Sequence, residues 1–211
     1  MPTNNNKYPN FLSGLIGAVL LTSFATNTQA SETQYQQLCI ACHGADGAGN
    51  AAMQAPAIAG LDKEYLQRQL VGFKTGLRGH NKDDSSGQVM AGMVAMLSDK
   101  NAESLSGYIA QLPIVKLEQE SKPTGFRGRG LYSGCSSCHG AKGEGSPALG
   151  APRLSQQYTW YLKKQLNKFR QDVRGNTPKD HYGNQMSTMA KDIASDNDIE
   201  TLVNYIARLG K

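Results

Sequence analysis

Two short strings combine paired thiols with an imidazole: Cys39-Ile40-Ala41-Cys42-His43 and Cys135-Ser136-Ser137-Cys138-His139. A Cys-x-x-Cys-His run is the attachment signature of c-type haem. Each cysteine can form a thioether to one vinyl group, and the histidine that follows then faces the iron as an axial ligand. Two other chemistries compete for these residues. Four cysteines in an exported chain also suit two disulfides, but a histidine directly after each pair argues against them. Structural zinc needs four ligands, and each cluster supplies three. The motifs therefore predict two covalently bound haem c groups, with Cys39, Cys42, Cys135 and Cys138 as attachment points and His43 and His139 on the irons.

The second strong ligand for each iron is sought in the duplication of the chain. Subtracting 96 from positions in the second half recovers the first, with 21 identities in 55 positions between residues 39 and 93. One extra residue then enters the second copy. The remaining histidines break this symmetry, since His80 falls opposite Asn176 and His181 opposite Ser85. Both read as exposed loop residues. Methionine is matched twice, as Met90 with Met186 and Met93 with Met189. Met90 and Met186 come first, in stretches flanked by Gly87 and Gly183 that read as loops before the last helix of each copy. They are the predicted sixth ligands. Met93 and Met189 are assigned to packing, and the unmatched Met53 and Met96 to the core.

Three further pairs bear on the sites. Pro56 and Pro152 follow the motif histidines by 13 residues. Each either stiffens its loop or offers its carbonyl to the imidazole N–H, which would orient the ligand. Arg78 and Arg174 suit either haem propionates or an exposed helix end. Trp160, next to Tyr161, has no aromatic counterpart and could meet a haem edge or the other copy.

The elements that position these residues are helical. Tyr65, Leu66, Gln69, Leu70 and Phe73 share one face of a helix over 61–76, with Asp62 as its N-cap. Tyr161, Leu162, Gln165, Leu166 and Phe169 repeat that face over 158–173. A short helix over 31–38 leads into the first motif. Each copy ends in a helix capped by Ser98 or Ser195, with apolar stripes Leu105/Ile109/Leu112 and Leu202/Ile206/Leu209.

Residues 11–25 form an apolar stretch of signal-peptide length, and Thr28-Gln29-Ala30 places small residues at a cleavage site. The expected organisation is a leader at 1–30, one domain at 31–112, a linker at 113–123 between Pro113 and Pro123, and a second domain at 124–211. An uncleaved anchor is the alternative, although the stretch is short for a spanning helix. Export to the periplasm suits haem c, which is attached outside the cytoplasm. Loss of Lys7 with the leader takes the formal charge from +5 to +4, and four propionates would roughly cancel it. No run of Lys and Arg interleaved with aromatics points to nucleic acid. A domain of this size buries limited surface, and a tethered haem gives it an apolar body to pack around.

The two motifs, Ala-Pro-x-[Ile/Leu] after each, Tyr65-Leu66-Gln67-Arg68-Gln69-Leu70 with its repeat, and Met-x-x-Met before a Ser-Asp-capped helix resemble the dihaem cytochrome c4 family over nearly all of 32–209. That resemblance implies an all-α fold of two tandem class I cytochrome c domains related by internal duplication. It also implies His/Met iron in both domains, with Met90 and Met186 as the axial methionines. The implied role is transient electron transfer between a redox donor and a terminal oxidase or reductase. Peripheral membrane association is left open. With both axial positions filled, outer-sphere transfer is favoured over bond-making chemistry. A two-haem peroxidase would need an open iron, and a sulfur-compound dehydrogenase would need a spare cysteine. A cytochrome subunit of a membrane dehydrogenase complex is the third alternative.

Overall fold

The computed structural model describes residues 1–3 and 22–210. The apolar stretch read as the leader core lies mostly outside the described residues. No described helix is long and apolar enough to cross a membrane.

The first domain comprises α1 (Thr22–Leu38), α2 (Ile40–His43), α3 (Lys63–Lys74), α4 (Ser85–Val94) and α5 (Asp99–Gln111). The second comprises α6 (Gly125–His139), α7 (Thr159–Arg170), α8 (His181–Lys191) and α9 (Asp196–Ile206). Among the described residues, β pairing is confined to two isolated bridges, Asn50 with Ala55 and Ser146 with Ala151. The fold is all-α in two tandem halves, as the sequence pattern implies.

Capping residues set the helix starts. Asp62 accepts from the Tyr65 amide at 2.9 Å, and Ser98 accepts from the Asn101 amide at 3.1 Å. Ser195 does the same for Asp198 at 3.1 Å. The expected apolar stripes face the cores, with Leu112 and Leu209 half-buried at their ends. Leu66, Phe73, Leu105 and Ile109 join Tyr35, Leu61, Val94 and Leu97 in the first core. Leu162, Leu202 and Ile206 join Tyr132, Ile199 and Val203 in the second. α3 packs on α4 and α5 in the first domain, and α7 on α8 and α9 in the second.

Three expectations about elements are corrected. Helix α1 extends upstream of position 31 and, among the described residues, spans Thr22–Leu38. The stretches holding Met90 and Met186 are helices, not loops. The reason lies in Asp84 and Asp180, whose carboxylates accept from the Gly87 amide at 2.8 Å and the Gly183 amide at 2.9 Å. A Cβ at either glycine would collide with that carboxylate, so these glycines make room for an N-cap rather than marking a loop. Met53 and Met96 are exposed, Met96 by 93%. Neither belongs to a core cluster, because neither falls on the buried stripe of a helix.

Residues 113–124 carry no helix, but they are pinned along the second domain. The Leu117 amide donates to Gln156 Oε1 at 3.0 Å. The Lys122 amide donates to Asn204 Oδ1 at 2.8 Å. Leu117 itself is buried.

Candidate functional site

Both Cys-x-x-Cys-His strings end a helix at its histidine. α6 runs unbroken through the second string. In the first, the helix breaks at Cys39, which caps α2 with φ −112° and ψ −35°. A tyrosine closes each string. The Tyr35 hydroxyl donates to the Gly44 carbonyl at 2.6 Å, and the Tyr132 hydroxyl donates to the Gly140 carbonyl at 2.7 Å. Tyr35 stands four residues before its cysteine and Tyr132 three, so the break at Cys39 absorbs one extra residue. Burial, and then the nearby Cys135, pushes the Tyr132 hydroxyl up to about 12. Burial, and then Cys39, raise the Tyr35 hydroxyl in the same way. These tyrosines were missed in the sequence because the 96-residue offset does not align them. An aromatic just before each motif was the available signal.

The histidines are held from behind. His43 Nδ1 lies 3.0 Å from the Pro56 carbonyl, and His139 Nδ1 lies 2.8 Å from that of Pro152. A carbonyl oxygen only accepts, so Nδ1 carries the proton and Nε2 keeps its lone pair. Burial lowers both imidazole pKa values, and the proline carbonyls offset part of that. The rings are therefore neutral at neutral pH, which is the form that binds metal. The proline loops are shaped by close backbone approach. Gly49 has φ +84°, and a Cβ there would lie 2.5 Å from the Pro56 carbonyl carbon. Gly145, also at φ +84°, would meet the Pro152 carbonyl carbon at 2.8 Å.

The four cysteines are not joined in disulfides. Burial, and then Cys42, pushes the Cys39 thiol up to about 11. Cys135 is raised by burial and then by Cys138. Cys39 and Met90 pack on the same first-domain core. Cys135 packs on the second core, while Met186 is half-buried on α8. Met90 and Met186 occupy the same register, sixth in α4 and sixth in α8. Met93 and Met189, expected in packing, are 43% and 44% exposed. One helical turn beyond the ligand candidates, they stand on the open side of α4 and α8. His80 is exposed outside regular structure, whereas His181 is exposed but opens α8.

Arg78 and Arg174 are not exposed helix ends. Each is half-buried and spans the domain boundary. Arg78 donates to its own Gln69 at 2.7 Å and to Gln165 of the other domain at 3.3 Å. Arg174 donates to its own Gln165 at 2.7 Å and to Gln69 across the boundary at 2.8 Å. Arg78 also reaches the Tyr161 hydroxyl at 3.1 Å. Burial raises the Tyr161 pKa, but Arg78 and Arg174 outweigh it and pull the hydroxyl below its ordinary value. Trp160 stacks on Tyr158 with centroids 5.7 Å apart and meets Tyr161 edge-on at 5.8 Å. Trp160 thus stands beside a boundary residue.

The family model for cytochrome c matches residues 29–113 and 126–210. The chain belongs to the cytochrome c family, as a dihaem protein of the cytochrome c4 kind. Cytochrome c4 of Azotobacter vinelandii is 35% identical over 182 residues, covering 82% of this chain and 84% of its own. The thiosulfate dehydrogenase electron acceptor of Stutzerimonas stutzeri (strain A1501) is 30% identical over 195 residues, covering 87% and 84%. The crystal structure of reduced recombinant cytochrome c4 from Pseudomonas stutzeri superposes with a TM-score of 0.71 at 29% identity, over 86% of this chain and 98% of that one. Each of the two cytochrome c domains carries a covalently attached haem c. The protein transfers electrons and is not an enzyme.

The residues present fit those groups. Each motif histidine has its Nδ1 committed and its Nε2 free for iron. The two boundary guanidiniums bond to amides and a phenol rather than to carboxylates, and Arg78 Nε and Trp160 Nε1 are buried without a hydrogen-bond partner. Such donors suit carboxylates of a bound group.

Proposed function

We propose that the mature chain is a periplasmic electron carrier between a redox donor and a terminal oxidase or reductase. The domains are 31–112 and 124–211, joined at 113–123 after removal of 1–30. The carrying observation is the duplicated histidine whose Nδ1–H is tied to a proline carbonyl, 3.0 Å from Pro56 and 2.8 Å from Pro152. Bound in each domain, haem c supplies one-electron ferric/ferrous chemistry. In this reading Cys39 and Cys42, and Cys135 and Cys138, would provide the thioether links. His43 and His139 would ligate iron through Nε2, and Met90 and Met186 would supply the thioether sulfur. Pro56 and Pro152 hold the ring orientation and raise ligand basicity. Arg78 and Arg174 offset propionate charge at the domain boundary. His/Met ligation places the potential high among haem proteins.

Charge supports transient docking at two different faces. Residues 31–112 hold six Lys/Arg and eight Asp/Glu, whereas 124–211 hold thirteen and seven. Partners of opposite charge would thus be steered to different domains, with on-rates that fall as salt rises. The relative named as a thiosulfate dehydrogenase electron acceptor favours a sulfur-compound dehydrogenase as one donor class.

The test is the weak long-wavelength band of ferric haem ligated by thioether sulfur. Met90→Ala and Met186→Ala should each remove about half of it, and the wild type should show little peroxide turnover. A full band in either variant refutes that ligand, and rapid peroxide consumption refutes the carrier role.

A further inference from the structure

The polar contacts between the domains are unequally shared. Two of the most buried second-domain side chains at the boundary have no like counterpart in the first domain. Lys168 falls opposite Gly72, and Gln157 opposite Leu61. Both reach into the first domain, and each ends on a segment that holds one of its candidate iron ligands.

Lys168, on α7, pairs through Nζ with Asp84, their side chains being 8% and 2% exposed. The same Nζ donates to Ser86 Oγ at 2.9 Å. Asp84 is the N-cap of α4, the helix that carries Met90. Burial alone would raise its carboxyl pKa, but Lys168 and the Gly87 amide outweigh burial and hold it below the ordinary value. A second-domain charge thus completes the cap of a first-domain helix, and removing one partner would leave the other buried and unpaired.

Gln157 acts on the other ligand. It is buried, and it uses both halves of its amide on Ala57. Its Oε1 accepts from the Ala57 amide at 3.1 Å, and its Nε2 donates to the Ala57 carbonyl at 2.8 Å. Ala57 follows Pro56, whose carbonyl holds His43. Gln157 is itself braced by the linker, since Gln119 Nε2 donates to its main-chain carbonyl at 2.8 Å.

The return contacts differ. Asp180 caps α8 as Asp84 caps α4, but Gly72, at the position matching Lys168, has no side chain to offer it. Leu61 has no polar atom to brace the Pro152 loop. The first domain instead places Arg68 at the rim, where Nη2 donates to the Gly150 carbonyl at 2.7 Å and the guanidinium lies 4.3 Å from the Tyr182 ring centroid.

We propose that Lys168 and Gln157 are positioning residues through which the second domain sets the His43/Met90 ligand field, by buried polar contacts that Gly72 and Leu61 cannot return and that the rim contacts of Arg68 do not replace. This rests on the ligand reading given under the proposed function. It makes the two haems inequivalent by construction and couples one potential to how tightly the domains are docked.

The experiment compares haem-loaded wild type with Lys168→Met, Gln157→Leu and Arg68→Gln. The double variant Asp84→Asn/Lys168→Met retains a capping amide and leaves no lone buried charge. NMR resolves the methyl signal of each iron-bound methionine in the reduced protein, with Met90→Ala and Met186→Ala assigning them. Potentiometric titration reads the two midpoints. Changes to such outer contacts commonly act about tenfold or more, and a tenfold change in one-electron affinity is about 59 mV. The Lys168, Gln157 and double variants should shift the Met90 signal and one midpoint on that scale and leave the other pair in place. Arg68→Gln should leave the Met186 signal and its midpoint unmoved. Equal shifts at both haems, no shift at either, or a Met186 response to Arg68→Gln overturns the inference while leaving the ligand reading intact. Absence of a Met90 signal in the wild type overturns the ligand reading itself, and the inference with it.

Discussion

Replacing Gly49 with alanine should damage the first haem site from six residues beyond His43, without replacing a ligand. Gly49 sits at φ +84°, where an L-residue costs about 1–2 kcal/mol. The added Cβ would also lie 2.5 Å from the Pro56 carbonyl carbon and 2.7 Å from both the Ala55 oxygen and the Ala57 nitrogen. All three are backbone atoms, so relief requires moving the loop rather than a rotamer. The movement displaces the carbonyl bonded to His43, a loss of about 0.5–1.5 kcal/mol. Together these give about 1.5–3.5 kcal/mol. For a domain of this size that lowers the melting temperature by roughly 6–28 °C. Gly130→Ala is the control. It lies inside α6 with nothing within 4 Å of the added atom, and it should stabilise by about 0.5–1 kcal/mol. Thermal unfolding of both haem-loaded variants, followed in the haem absorption, measures the difference. A Gly49→Ala protein that melts with the wild type, with its first haem spectrum unchanged, refutes the role given to the Pro56 loop.

Two further outcomes follow from the same geometry. Asp84 has a folded pKa below its ordinary value of 3.8, so its contribution is present above that value and is lost as pH falls through the lower folded one. Stability measured by denaturant should therefore drop more steeply on acidification in the wild type than in Asp84→Asn/Lys168→Met, and parallel curves would refute this. Tyr35→Phe and Tyr132→Phe each remove the donor that closes a haem motif, and each should cost about 0.5–1.5 kcal/mol in chemical unfolding; a stabilised variant would contradict the closure role.

Much of the site was legible because the chain states it twice. The motif cysteines and histidines, the matched methionines and the Pro56/Pro152 pair all stand at one offset, so position alone separated them from incidental residues. The apolar stripes of α3, α5, α7 and α9 were equally plain from their period. What the pattern hid was of two kinds. Gly87 and Gly183 suggested loops, but their role is to admit the capping carboxylates of Asp84 and Asp180, which requires knowing the turn before them. Lys168, Gln157 and the Arg78/Arg174 exchange depend on how the domains dock. That contact joins residues some 80 to 105 positions apart, and no local periodicity records it. Tyr35 and Tyr132 escaped because one residue at the Cys39 break shifts their alignment.

The central claim is that two irons are tethered, one by each Cys-x-x-Cys-His string. Intact mass spectrometry of the purified, denatured protein tests it most directly. The account predicts a mass equal to the mature chain plus two haem groups that persist after acid and organic extraction. Loss of either group on extraction, or a chain carrying fewer than two, would contradict it.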